Sequence, residues 1–453
     1  MLLSAKYVLP VSAHHIDDGA VLVRGDRIEA VGTREDLIAA HPDEEVRDFG
    51  SAVLMPGFVD LHTHLEYAVF RGAVDDAPYT AWKMQVQQKA ARLSAEDWRD
   101  SALLGAMEAA GSGITTVADI TRSGNSVSAA ASMGLGGIVY REVSTMDKSL
   151  VAERMRAAVE DVAAWREEAG SSPIEIGLAP HSPYTCHPAV FSAVAEHATA
   201  DGLPVAIHLA GSRDEYDFVR YGSSQLAQDF REQSGWHDVA WMPTGVSPVE
   251  YVAQWGLYDV PRLLAVHCVQ VDERDIDTLA QHDVSVAHCP RCNAKLGMGI
   301  APLRSFFEHG LTVGLGTDSP ASNNTVDPFD EMRIGLLLQR GIGGETDFYR
   351  YFTARTFVRL ATIHGARALG LEDEVGSLEP GKRADIIAVD LSSSPHMVPT
   401  VDPYSALVHT SNQKDVLATM VAGRMLFDRG TYLTADTERA MARAQEIREK
   451  LRG

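Results

Sequence analysis

Between Pro56 and about Ala366 one unit recurs along the chain: a short β-rich run, a loop, then a helix-like stretch rich in Ala, Glu and Arg. The β-rich runs fall at 53–61 (VLMPGFVDL), 115–120 (TTVADI), 136–143 (GGIVYREV) and 174–180 (IEIGLAP). They continue at 204–209 (PVAIHL), 263–269 (LLAVHCV), 284–289 (VSVAHC) and 312–317 (TVGLGT). Helical pattern separates most of them, as at 150–169 before the fourth and 272–282 before the seventh. Strands that alternate with helices assemble βαβ units and a parallel sheet. Eight such units over this length predict an α/β fold, a closed (β/α)8 TIM-type barrel in preference to an open doubly wound sheet.

The flanks follow another pattern. Both carry short alternating strands with turns, as in GAVLVRGDRIEAVG, where Gly25-Asp26 is hairpin-like, and ATMVAGRMLFDRGTYL near the end. Isolated hairpins are only marginally stable, so two β-rich ends around a barrel most simply pair with each other. The expected division is residues 1–55 and 369–453 in one small β-sandwich domain and 56–368 in the barrel, with a charged terminal helix from Ala435 to Leu451. A chain of 453 residues is longer than one core usually serves, which agrees with this split. Two barrel loops are long, Leu65–Ser94 and Gly211–Arg262, and loops beyond about 15 residues in a compact fold usually carry function.

Charge narrows the partners. With 62 acidic and 40 basic residues the net charge is -22, a field that repels phosphate backbones and anionic lipid, so neither nucleic acid nor a membrane surface is expected. No run approaches the roughly 18 apolar residues of a membrane span, and the first residues lack a signal-peptide pattern. Four cysteines are too few for a disulfide framework in this length, and the expected location is cytoplasmic.

The chemistry lies at strand ends. His62 and His64 close the first run, and residues i and i+2 on a strand share a face, so both imidazoles can meet one ion. Such a pair alone is often incidental. Here, however, His181, His208, His267 and His288 end the fourth to seventh runs and Asp318 follows the eighth. Residues at the C-terminal ends of barrel strands converge on one site, which separate local roles for each histidine do not explain. Three neutral imidazoles and a carboxylate suit Zn2+ or Fe2+ and leave room for a water, whose pKa the metal lowers towards about 7.

The segments PGFVDLHTH, PHSPYTC, AIHLA, AVHCV, AHCPRCNAKLG and GLGTDSPASNN, with a late GSLEPGKRADIIAVD, resemble the amidohydrolase superfamily over nearly the whole chain. The branch is that of adenosine-type and S-adenosylhomocysteine deaminases, triazine hydrolases and aminofutalosine deaminases. The resemblance implies one divalent metal ion per chain, Zn2+ or Fe2+, held by His62, His64, His208 and Asp318. It implies that His267 orients the water, that Asp318 doubles as proton shuttle, and that His181 contacts the substrate. It further implies a small heterocyclic substrate and a homodimer. HTHLEY, REVST, APHSPYT and SPVEY are most similar to aminofutalosine deaminases, so the resemblance implies a hydrolytic deaminase of an aminated heterocycle, an adenine-type nucleoside such as aminodeoxyfutalosine.

One departure stands out. The family reads His-x-x-Glu after strand five, the Glu protonating the ring; here the segment is His208-Leu-Ala-Gly211. Glu66, Asp214 and Glu215 are the nearby acids, and none occupies the family position. The gap keeps a second reading open, a dechlorinating or cyclic-amide hydrolase on a triazine-like ring, and a third, a silent metal-retaining binder. Trp82 is a candidate for stacking on the ring or for core packing, and Ser144 and Glu142 are candidates for the pocket rim. Cys289-Pro-Arg-Cys292 lacks the second pair of a structural zinc site and reads as incidental. His288 has no assigned role.

Overall fold

The computed structural model describes residues 1–233, 241–343 and 350–452. The chain opens with β1 (Leu2–Val8), β2 (Ile16–Arg24), β3 (Arg27–Thr33), β4 (Val46–Asp48) and β5 (Ala52–Pro56). It passes through β6 (Phe58–Thr63), β7 (Ile114–Thr121), β8 (Gly136–Val143) and β9 (Ile174–Pro180). Next come β10 (Val205–Leu209), β11 (Leu263–His267), β12 (Ser285–His288) and β13 (Val313–Leu315). It returns with β14 (Ile386–Asp390), β15 (Val416–Val421), β16 (Arg424–Asp428) and β17 (Thr431–Tyr432).

Strands β6 to β13 form one eight-stranded parallel sheet whose spatial order is the chain order. The sheet closes through a parallel bridge between Thr63 and Asp318, where the Asp318 N–H donates to the His62 carbonyl at 2.7 Å. Helices cover the outside, so the strands are buried on both faces and read as continuous apolar runs; all of β7 is buried. One apolar cluster fills the space between strands and helices, and a second lies inside the barrel, with Ile120, Ile138, Tyr140, Leu264 and Val266 among its members.

The other strands make a single nine-stranded sheet from the two chain ends, because β5 pairs with β1 on one side and β14 on the other. This sheet carries the small domain. The first β-rich run, 53–61, therefore divides between two sheets. Gly57 marks the crossing: a Cβ there would sit 2.1 Å from Thr115 Cγ2, a closeness that only glycine permits.

The loop after β6 carries helix Tyr79–Ala90 and leads into helix Ala95–Gly111, whose start is fixed by a capping box between Ser94 and Asp97. The C-terminal helix Thr437–Leu451 lies against both. Lys450 and Arg443 pair with the buried Asp97, Lys89 Nζ donates to the Leu451 carbonyl at 2.6 Å, and Ile447 and Leu451 share an apolar cluster with Phe70, Val74 and Val86. Among the described residues no helix is long and apolar enough to cross a membrane.

Candidate active site

The imidazoles of His62, His64, His208 and His267 meet at the C-terminal mouth of the barrel. Ring centroids lie 4.8 Å apart for His62 and His64, 4.9 Å for His62 and His208, and 5.8 Å for His208 and His267. Their outer nitrogens are tied back. His64 Nδ1 donates to the Ile120 carbonyl at 2.7 Å and His208 Nδ1 to the His181 carbonyl at 2.9 Å. A carbonyl can only accept, so each ring carries its proton on Nδ1 and turns a bare Nε2 inward. Those two Nε2 atoms are 3.4 Å apart, lone pair towards lone pair, while among the described residues neither nitrogen of the buried His62 has a hydrogen-bond partner. Such an arrangement repels itself unless a cation lies between the rings, and it has the tied-back outer nitrogens typical of metal-binding histidines.

Asp318 adds the negative charge. Its Oδ1 is 3.5 Å from His62 Nε2 and 4.0 Å from His64 Nε2, so His62, His64 and Asp318 form one group able to hold a cation, and His62, His208 and His267 form another. Burial opposes ionisation of Asp318, a cost that a cation held beside it would offset. Burial also pushes His62 down to about 4 and His208 and His267 downwards, which keeps their rings neutral and their lone pairs available. Backbone strain collects here: Ala210, His267, Cys268 and Asp318 all have positive φ without being glycine. Asp60 braces the seam beneath, accepting from Thr317 N and Oγ1 and from His62 N.

The cavity above these groups is also lined by Glu66, Tyr79, Trp82, Lys83, Glu142, His181, Cys292 and Met298. Trp82 is anchored by its Nε1–H to the Ala321 carbonyl at 2.9 Å. His181 Nδ1 faces the Ser182 and Thr185 hydroxyls at 2.9 and 2.8 Å, and its Nε2 lies 3.5 Å from Lys83 Nζ. Glu66 accepts from the Thr121 hydroxyl at 3.0 Å and from Ser123, and burial raises its carboxyl. Ser144 is not in this cavity. It lines an adjoining chamber with Arg122, Arg141 and Arg154, and accepts from Arg122 at 2.9 Å. Lys83, Gln87, Arg122, Glu142 and His181 border both spaces.

The long loops behave unequally. Loop 65–94 supplies much of the cavity wall, whereas 211–262 supplies none of it among the described residues, and 234–240 lie outside them. The second loop instead braces the first: Thr80 on helix Tyr79–Ala90 donates to Asp214. Glu215 is likewise engaged, its carboxylate accepting from the Ala210 and Gly211 N–H groups at 2.9 and 2.8 Å. Burial still pushes it up to about 7. Gly211 itself borders the centre. A Cβ there would lie 3.3 Å from His267 Cδ2 and 2.8 Å from Met298 Cε.

Three residues escape sequence reading. Lys83 is one. Asn293 is another: its Oδ1 receives His267 Nδ1 at 3.0 Å, leaving His267 Nε2 bare. Cys292, read as incidental, is the third, with Sγ 2.7 Å from Asp318 Oδ2. Their one sequence cue is that Cys292 and Asn293 follow a strand-ending histidine, His288.

His288 lies buried beneath the cavity with neither ring nitrogen hydrogen-bonded among the described residues, and burial pushes it down to about 4. In an unfolded chain the ring titrates near about 6.5. Between those values the unfolded chain binds a proton that the folded one excludes. Stability from this group is thus complete above pH ~6.5 and lost as pH falls towards ~4. The gap corresponds to roughly 3 kcal/mol. In urea titrations of metal-free protein, His288→Leu should remove a loss of about that size between pH 7 and 4. Wild-type and variant stabilities that fall in parallel would refute the assignment.

Comparison with known proteins agrees with this architecture. The profile described as "Amidohydrolase family" matches residues 53–426, and one for an imidazolonepropionase-like composite domain of bacteria matches 19–43. The chain is 34% identical over 460 residues to a 5-methylthioadenosine/S-adenosylhomocysteine deaminase of Moorella thermoacetica, covering 99% of each. It is 34% identical over 458 residues to the protein of that name from Symbiobacterium thermophilum, covering 100% of this chain and 99% of the other. A zinc-bound adenosine deaminase from Xanthomonas campestris superposes with a TM-score of 0.86 at 29% identity, over 99% of this chain and 98% of that one. Zinc-complexed atrazine chlorohydrolase from Arthrobacter aurescens shares the fold, with a TM-score of 0.83 at 22% identity over 99% of both chains. With the matched profile spanning both the barrel and its cluster of inward-facing imidazoles, the chain belongs to the amidohydrolase family of metal-dependent hydrolases.

Proposed function

We propose that the protein is a hydrolytic deaminase of an adenine-type nucleoside, working with one divalent ion, zinc, held by His62, His64, His208 and Asp318. The observation that carries the reading is the pair of Nε2 atoms 3.4 Å apart, beside a His62 that has no hydrogen-bond partner among the described residues and an Asp318 carboxyl oxygen 3.5 Å from it. The names of the relatives support the substrate class and favour 5-methylthioadenosine or S-adenosylhomocysteine over the more specific aminodeoxyfutalosine.

A bound divalent cation supplies hydroxide from water at neutral pH. The chain's own groups do the rest. His267, its Nδ1–H committed to Asn293, offers Nε2 to take the water proton, and Asp318 holds or passes it on. His181, Trp82 and Glu66 line the space for the heterocycle, with Ser144 further out in the adjoining chamber, where a substituent of the nucleoside would extend.

Ammonia release by purified zinc-loaded protein tests the proposal, with 5-methylthioadenosine, S-adenosylhomocysteine, adenosine, aminodeoxyfutalosine and guanine as substrates. Turnover should be confined to the adenine nucleosides. Gly211 favours a second reading, hydrolytic dechlorination of a triazine, because chloride leaves without needing a proton. Chloride release from atrazine in the same panel, with no ammonia from any nucleoside, would replace the first reading with the second.

A further inference from the structure

The two carboxylate oxygens of Asp318 have different surroundings. Oδ1 accepts from the Ser319 N–H at 2.7 Å and is the oxygen nearest His62 and His64. Oδ2 points away from them, to Cys292 Sγ at 2.7 Å. The thiol is only 1% exposed and sits on the short helix Pro290–Lys295, which begins directly after β12. A buried carboxylate oxygen needs a donor, and the S–H is the side-chain donor at Oδ2. The next residue, Asn293, receives His267 Nδ1, so a single turn of helix touches both groups that the proposed reaction uses for protons.

We propose that Cys292 is a positioning residue: its thiol engages Asp318 Oδ2 and so keeps Oδ1 alone directed at the imidazoles. The inference rests on the metal-site reading above. Without the donor, Oδ2 is left desolvated and unpaired, and the carboxyl can rotate until both oxygens compete for one cation. A thiol that merely filled space beside Asp318 would leave the carboxylate unchanged when replaced.

Wild type, Cys292→Ala and Cys292→Ser are each prepared with cobalt(II) in place of zinc, since the visible absorption of cobalt responds to the placement of its ligands. Cys292→Ala should shift the cobalt band and lower kcat by about tenfold while KM changes less than about twofold. Cys292→Ser, which keeps a donor, should retain the wild-type band and most of kcat. If the alanine protein fails to fold, Cys292→Val, close in size and lacking a donor, takes its place. An unchanged cobalt band in the donor-free variant overturns the proposal even if the rate falls, as does a serine variant no better than alanine. Wild type that takes up no cobalt overturns this inference together with the metal-site reading. Cobalt bound alike in all three proteins removes the inference and leaves that reading standing.

Discussion

Replacing His62 and His64 together by alanine is expected to leave less than about a tenth of an equivalent of zinc per chain and to lower deamination by at least about 10⁴-fold. The size follows from what the ion supplies. A bound divalent metal brings the pKa of water from about 15.7 to about 7, so without it hydroxide at neutral pH is scarcer by many powers of ten. His267 and Asp318 can still receive a proton, but from a much poorer nucleophile, and general-base help is worth only about 10²–10⁴-fold. Metal content by mass spectrometry and ammonia release on the same samples check both halves. A double variant that keeps one zinc per chain sinks the ligand assignment, and full activity without zinc sinks the mechanism.

The second large effect is expected at Gly211. Expelling an amine from an aromatic ring requires a proton at the ring or the leaving nitrogen, and a placed acid typically contributes about 10²–10⁴-fold. A side chain at 211 would start 3.3 Å from His267 Cδ2, beside the groups proposed to handle the water, with the terminal methyl of Met298 at 2.8 Å and the His267 ring both in its path. A methionine end is flexible and gives way, whereas the His267 ring must move by a few tenths of an ångström. Gly211→Glu combined with Met298→Ala should therefore raise kcat for deamination by about tenfold or more, roughly 1.4 kcal/mol in barrier, with zinc content unchanged. The Met298→Ala single variant is the control. An unchanged rate would mean that another cavity group, such as Glu66, already delivers the proton. A fall would mean that the notch is needed by the substrate.

How much of this could be read from the sequence differs by element. The barrel strands were legible because parallel strands covered on both faces must be apolar throughout, and the intervening helices bound each run. The strand-end histidines were legible because closure of such a sheet brings those positions to one mouth. The run 53–61 misleads: Val53 to Met55 and Phe58 to Leu61 read as one β-rich stretch, yet the close approach at Gly57 sends them into different sheets. Loop length alone did not separate 65–94, which walls the cavity, from 211–262, which braces that wall through Asp214. Ser144 ends its strand as the histidines do, but faces the neighbouring chamber. Cys292 meets Asp318 across 26 residues and Lys83 meets His181 across 98, and no local pattern records such meetings.

The C-terminal helix has a consequence for how specificity could drift. Ile447 and Leu451 pack with Val86, on the helix that carries Trp82 and Lys83, and Lys89 of that helix is bound to the Leu451 carbonyl. The tilt of this cavity-lining helix is therefore set partly from behind, by side chains that do not line the cavity. Exchanges at Ile447 or Leu451 can widen or narrow the space under Trp82 while every imidazole stays where it was. Selection for a new nucleoside thus has a gentle route open to it, through a segment bearing none of the chemistry, where each step costs a fraction of the packing and none of the metal.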